Sequence, residues 1–189
     1  EAVKHLTILI QETKETISYL ETVETALSQA SLAEVAEIRE ELIQTGFIKR
    51  RNREKIHKRK KPKKYLASDG KTIILVGRNN LQNDELTFKI AKKDELWFHA
   101  KDIPGSHVVI TGNLNPSDEV KTDAAELAAY YSKARFSNLV QVDMIEAKKL
   151  NKPTGGKPGF VTYTGQKTLR VTPEEEKIKA MKLEDWFQK

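Results

Sequence analysis

Residues 94–110 read DELWFHAKDIPGSHVVI, Asp94 to Ile110. Two short apolar runs with strand character, Leu96-Trp97-Phe98 and Val108-Val109-Ile110, flank a hinge whose turn chemistry comes from Asp102, Pro104, Gly105 and Ser106. One of the chain's two tryptophans lies in the first run, and His99, Lys101 and His107 lie close to it. A polar cluster therefore rides on a hydrophobic hairpin, which is how a sheet presents a binding loop. Trp97 and Phe98 also read as core, and either histidine read singly fits a satisfied structural group equally well.

Downstream, Asn115-Pro116 marks a helix start with Pro in the first turn, and the Ala-rich segment to about Arg135 predicts the main helix on the sheet. Leu139 to Ala147 alternates as a strand. Lys148 to Gly159 is a basic loop in which the amides around Gly155, Gly156 and Gly159 are expected to form an anion-binding concavity beside four lysines. It lacks the Walker pattern, because Asn151 replaces the first Gly and Pro158 the magnesium-binding hydroxyl. Residues 160–163 and 168–171 predict a last hairpin around Gly165, and Pro173 opens a terminal helix that carries Trp186 and Phe187.

Upstream, Tyr65 to Ala67 and Thr72 to Val76 predict a hairpin turning at Ser68-Asp69-Gly70. Gly77 then leads into Arg78-Asn79-Asn80, a run at a strand end that suits phosphate and base edges. The same asparagines fit a helix cap.

The first third is helical. Val3, Leu6, Ile10, Thr13, Ile17, Leu20, Glu24 and Leu27 alternate spacings of three and four, a heptad seam with two polar interruptions. The arm would be about 40 Å long at the rise of an α-helix. Ser31 with Glu34 has capping-box spacing and opens a second helix with Leu32, Val35, Ile38 and Leu42 on one face, closed by Gly46. This predicts an α+β protein in two parts: a helical coiled-coil arm with a basic end over 1–62, and a globular domain over 63–189 with a largely antiparallel sheet and packed helices. The chain starts at Glu1 inside the periodic pattern, as expected of the carboxy-terminal piece of a longer protein.

Charge separates the same parts. The formal net charge is +6, but residues 1–46 carry −6 and residues 49–64, with eleven basic and one acidic side chain, carry +10. Such a block is either a solvated linker or a phosphate-contacting segment, and its density favours a polyanionic partner. With no cysteine, disulfides and thiolate zinc sites are excluded. No apolar run reaches the roughly 18 residues of a membrane span. Ser106, His107 and Asp102 lack hydrolase geometry, since neighbours on an extended chain point to opposite sides. His99, His107 and Asp94 lack a metal-ligand spacing. No cofactor or catalytic activity is expected of this chain.

The blocks GRNNLQND (77–84), DELWFHAKDIPGSHVVI (94–110), AAELAAYYSKAR (124–135) and KPTGGKPGFVTY (152–163) resemble the NFACT RNA-binding domain, and the arm resembles that family's middle coiled coil. The resemblance implies the carboxy-terminal half of a ribosome-associated quality-control factor, cytoplasmic, with no tailing activity of its own. Members engage a stalled large ribosomal subunit carrying peptidyl-tRNA and promote alanine tailing of the nascent chain. The implied partners are the large subunit, tRNA and rRNA, with the arm pairing to a missing helix in cis or to another chain in trans. The matching positions, and so the implied RNA-binding residues, are Arg78, Asn79 and Asn80; Asp94, Trp97, His99, Lys101, Pro104, Gly105, Ser106 and His107; and Lys149, Lys152, Lys157, Pro158 and Gly159. Family members have also been described as surface adhesins, which makes fibronectin the competing partner and the cell surface the competing location.

Overall fold

The computed structural model describes residues 1–51 and 60–183. Half of the cationic block, residues 52–59, the terminal Trp186 and Phe187 and the end of the expected terminal helix lie outside the described residues.

Two helices form the arm, α1 (Ala2–Ser28) and α2 (Leu32–Gln44). Ser31 caps α2 in the expected capping box with Glu34. Gly46, at φ 81°, closes it, with the Gly46 amide on the Ile43 carbonyl and the Phe47 amide on the Leu42 carbonyl. The helices pack through Tyr19 and Val23 on α1 and Ile38 on α2. The α1 seam stands open, as expected of an arm whose partner helix is missing, and of the expected α2 face only Ile38 and Leu42 turn inward. The heptad seam of α1 is its exposed stripe, from Val3 at 76% to Leu27 at 42%, and on α2 Leu32 is 93% exposed while Glu34, Glu37, Glu40 and Glu41 are buried. The acidic face turns inward because Glu34 and Glu41 find partners in the globular domain, described below, while Glu40 pairs with Arg50 and Glu37 accepts from the Lys60 amide.

The domain is a six-stranded antiparallel sheet in the order β1-β2-β4-β3-β5-β6, which confirms the α+β class. The strands are β1 (Lys63–Leu66), β2 (Ile73–Val76), β3 (Leu96–Ala100), β4 (Val108–Thr111), β5 (Val140–Glu146) and β6 (Lys167–Val171). The central hairpin is the expected one, with Trp97 opposite Val109 and Phe98 opposite Val108. Side chains alternate across a strand, so these pairs split between two cores. Phe98, Val108, Ile110, Ile74 and Val142 face α4 (Asp118–Tyr130), whose Ala124, Ala125, Ala128 and Ala129 allow a close approach. Trp97, Val109, Leu75 and Ile145 face the other way, with Leu86 and Leu150. Burial on both sides explains why the strands read as apolar runs.

On the second face lie α3 (Asn80–Glu85) and a π-helical turn (Leu86–Ile90), closed by the Ala91 amide on the Leu86 carbonyl. The wider turn lets Leu86 and Thr87 both point inward while Phe88 and Lys89 stay outside.

Three boundaries differ from expectation. The main helix starts at Asp118, capped by Ser117, and stops at Tyr130, because the chain there turns to bond the hinge: Gly105 bridges Ser132, and the Ser106 amide reaches the Tyr131 carbonyl. The last hairpin does not form. β6 pairs with β5, whereas Thr162 bridges Asn151 and the Tyr163 hydroxyl reaches Asp143. The terminal helix begins at Glu175 (α5, Glu175–Met181).

Of the carboxylates that hold the arm to the domain, Glu41 makes the most hydrogen bonds. Glu41, fully buried, accepts from the Asn80 amide at 2.9 Å, the Leu81 amide at 3.3 Å, the Asn80 side chain at 3.0 Å and the Tyr19 hydroxyl at 2.7 Å. Buried donors left without an acceptor cost about 1–3 kcal/mol each. Glu41→Ala is therefore expected to destabilise by about 3 kcal/mol. Urea denaturation checks it, and a loss under about 0.5 kcal/mol, the level of an ordinary surface change, would remove Glu41 as the anchor.

Candidate nucleic-acid interface

The hinge rests on a hydrogen-bond relay. The Trp97 indole N–H donates to Thr87 Oγ1 at 3.2 Å, Thr87 Oγ1 lies 2.7 Å from His107 Nδ1, and His107 Nε2 lies 3.1 Å from the Gly159 carbonyl. Indole can only donate and a carbonyl can only accept. Nε2 therefore carries a proton, and with the imidazole kept neutral by its burial Nδ1 accepts from the Thr87 hydroxyl. Burial, the largest influence, pushes His107 well below the usual imidazole range, and the neighbouring His99 adds to it. His107 is thus a clamp that draws the glycine loop onto the sheet, and the loop fits closely. A Cβ on Gly159, whose φ is 80°, would stand 2.5 Å from the Asn80 side-chain oxygen.

Above the relay lies a groove of about 370 Å³ between α1 and the hinge, whose lining includes Thr22, His99, Asp102, Pro104, Phe160 and Tyr163. Asp102 sits at φ 54°, an uncommon conformation for a residue other than glycine, and is exposed at the rim. Gly105 is required by close approach, since a Cβ there would meet Ser132 Cβ at 2.9 Å and backbone at 3.2 Å. His99 stacks on Trp97 with centroids 5.7 Å apart and packs edge-on to His107 at 5.4 Å. Burial lowers its basicity, while the Gly105 backbone and the Asp143 carboxylate pull the other way. Asp143 stands opposite His99 in the β3–β5 register and accepts from Tyr163 at 3.1 Å and Thr168 at 2.6 Å.

The other sequence-predicted residues fall into two groups. Arg78, Asn79 and Asn80 lie at the arm. The Arg78 guanidinium donates to Glu34 at 2.9 Å and to the Lys61 carbonyl at 2.9 Å, Asn79 caps α3 through the Gln82 amide, and Asn80 holds Glu41. Glu34 also pairs with Lys63 at 3.0 Å. Its own burial opposes ionisation, but the Ser31 backbone and Lys63 outweigh it and lower its pKa to about 2. The loop group is closer to solvent: exposed Asp94 pairs with Lys148 at 2.8 Å, Lys149 lies 3.6 Å from Glu146, and Lys152 bonds Asp84 at 2.8 Å. Lys157 lies over the Phe47 ring at 5.4 Å, beside half-buried Pro158, and Lys101 is half-buried at the hinge. The expected anion-binding concavity is already engaged within the chain. The Gly159 amide donates to Asp84 at 3.0 Å and the Gly156 amide to the Pro153 carbonyl.

Sequence reasoning missed Thr87, Asp84, Asp143, Phe160 and Tyr163 as parts of this site. Asp143 and Tyr163 were signalled only weakly, by a carboxylate in a strand pattern and an aromatic after the glycine loop.

Fold and groove together define a class: a helical spacer clamped to an α+β module, its sheet covered on both faces, with a polar, aromatic-walled cleft at the joint. Residues 1–61 match the model of the NFACT N-terminal and middle domains, and residues 61–165 that of the NFACT protein RNA binding domain. The chain belongs to the NFACT family. It is 83% identical to a Streptococcus suis protein named Rqc2 homolog RqcH, over 97% of this chain and 33% of that protein. With the Bacillus subtilis protein of the same name it shares 42% identity, over 92% of this chain and 31% of the relative. The chain thus spans about a third of the length of the curated relatives it matches. Among solved structures, the C-terminal part of the fibronectin/fibrinogen-binding protein from Streptococcus suis superposes with a TM-score of 0.96 at 83% identity, over 97% of this chain and 74% of that one.

Two outcomes test the relay and the hinge. His107 and His99 have depressed basicity, so the stability they contribute is fully present above about pH 6.5, the free imidazole value, and declines as pH falls below it. Denaturation at pH 7.5 and pH 5 is expected to show this fall, and His107→Asn to flatten it. Titration of the His107 ring near pH 6.5 by NMR would refute the neutral clamp. Gly105→Ala is expected to cost about 1–3 kcal/mol, read from the denaturation midpoint.

Proposed function

We propose that this chain is the RNA-holding, carboxy-terminal portion of a ribosome-associated quality-control factor acting in the cytoplasm. It docks on a large ribosomal subunit, holds tRNA or ribosomal RNA, and so supports alanine tailing of the stalled nascent chain by the whole protein. The match of residues 61–165 to the NFACT RNA-binding domain carries this reading. The relatives' name, Rqc2 homolog RqcH, supports the quality-control setting. In this proposal Lys101, Lys149 and Lys157 meet phosphate, and His99 with the Asp102–Ser106 hinge meets RNA in the groove. Lys152, Pro158, Gly159, Trp97 and His107 hold the loop in place, and Asp94 orients Lys148. Arg78, Asn79 and Asn80 set the arm against the domain. The exposed stripe of α1 takes the second strand of the coiled coil, in cis or in trans.

A second reading follows from the name of the solved relative, a fibronectin/fibrinogen-binding protein. There the chain acts at the cell surface and its cationic block contacts matrix protein.

Binding to purified large subunits, tRNA and fibronectin across a salt series separates the two. Each phosphate contact contributes about 0.7–0.9 to the slope of log affinity against log salt, so Lys101→Ala, Lys149→Ala and Lys157→Ala combined are expected to make the RNA slope shallower by about 2. Fibronectin binding that survives physiological salt while RNA binding does not would reverse the preference.

A further inference from the structure

A second recess forms where the last turn of α1 meets the loop after α4. Its volume is about 320 Å³, and Gln29, Ser132, Lys133, Arg135 and Phe136 are among the residues that line it. Small-ligand sites begin at about 300 Å³. Phe136 stands 89% exposed. The loop that holds it is nonetheless tightly built: the Lys133 amide bonds the Pro104 carbonyl at 2.9 Å, the Ser137 amide bonds the Ala134 carbonyl at 2.8 Å, and the Leu139 amide bonds Thr172 Oγ1 at 3.1 Å. Leu139 is held at φ 52°, a costly conformation for a bulky side chain and one that clusters at binding sites. The Arg135 guanidinium lies 3.9 Å from the Tyr130 ring centre and 5.4 Å from that of Phe136. In the recess wall, Gln29 Oε1 is buried without a hydrogen-bond partner, while its amide nitrogen donates to the Ser132 carbonyl at 3.4 Å.

An exposed aromatic ring on a hydrogen-bonded loop, a guanidinium beside it and a second cation are the chemistry of nucleobase and phosphate together. We infer that this recess holds one unpaired RNA nucleotide, its base stacked on Phe136 and its phosphate met by Lys133 and Arg135. The inference rests on the RNA-holding reading above and adds a contact that none of the sequence-predicted site residues supplies. Lys133 is paired with Glu21 at 3.5 Å, both exposed, a pair weak enough for phosphate to displace, while Arg135, 22% exposed, is held by Glu175 at 3.3 Å and by the Tyr130 hydroxyl and offers its remaining donors. Glu24, also at the recess, favours a base edge that donates over one that accepts. A duplex keeps its base faces stacked, so the site selects single strands.

The test is fluorescence anisotropy of this chain with a fluorescein-labelled 12-nucleotide RNA, single-stranded or annealed to its complement. Phe136→Ala, at a position that is almost wholly exposed, is expected to weaken single-strand binding about tenfold and to leave duplex binding within about twofold, while Phe136→Trp retains affinity. If Phe136→Ala leaves single-strand binding unchanged while the Lys101, Lys149 and Lys157 variant weakens it, the nucleotide site is overturned and the RNA-holding reading stands. If the unmodified chain binds neither RNA, both fall.

Discussion

A buried imidazole that must stay neutral ties this domain together. His107 connects four elements: its strand, the π-helical turn through Thr87, the tryptophan of the neighbouring strand through the same hydroxyl, and the glycine loop through the Gly159 carbonyl. With the ring neutral the relay has one arrangement, and it orients the surfaces around it. Without it the loop carrying Lys157 and Phe160 would lose its link to the hinge and rest on Asp84, Asn151 and Asp143 alone.

The arm is fixed to this framework by carboxylates rather than by its apolar stripe. Glu41 caps the first amides of α3 and receives the Asn80 side chain, and Glu34 meets Arg78 and Lys63. Buried charges of this kind demand full satisfaction, and loss of one partner costs more than the pair contributes. The arm therefore has a specific angle to the domain, and its position completes both the hinge groove and the recess beside Phe136. The exposed stripe is left available along the far side of α1.

The central hairpin, the Ser31 cap, the Gly46 stop and the Ala-rich helix were all legible, because each depends on residues near one another in the chain. What was misjudged depends on distant partners. Leu32 and Val35 have the spacing of a buried face, yet α2 rotates to bury Glu34 and Glu41 because Asn80, Lys63 and Arg78 wait for them. Residues 160–163 look like a strand, but Asn151 and Asp143 compete for their polar groups and hold them in a loop. The glycine loop looks like an anion cradle, but Asp84 provides the anion from within.

Sequence alone thus determined the α+β class, the existence of most of the helices and strands, the helical arm and the family, through periodicities, caps and turns that act over a few residues and through blocks of specific residues. Tertiary structure alone decided which helix faces are buried, that His107 is a neutral clamp, that Arg78 and Asn80 join arm to domain, and that Phe136 borders a recess. Those outcomes rest on desolvation and on hydrogen-bond complementarity between groups many residues apart, and neither is visible until the chain has closed on itself.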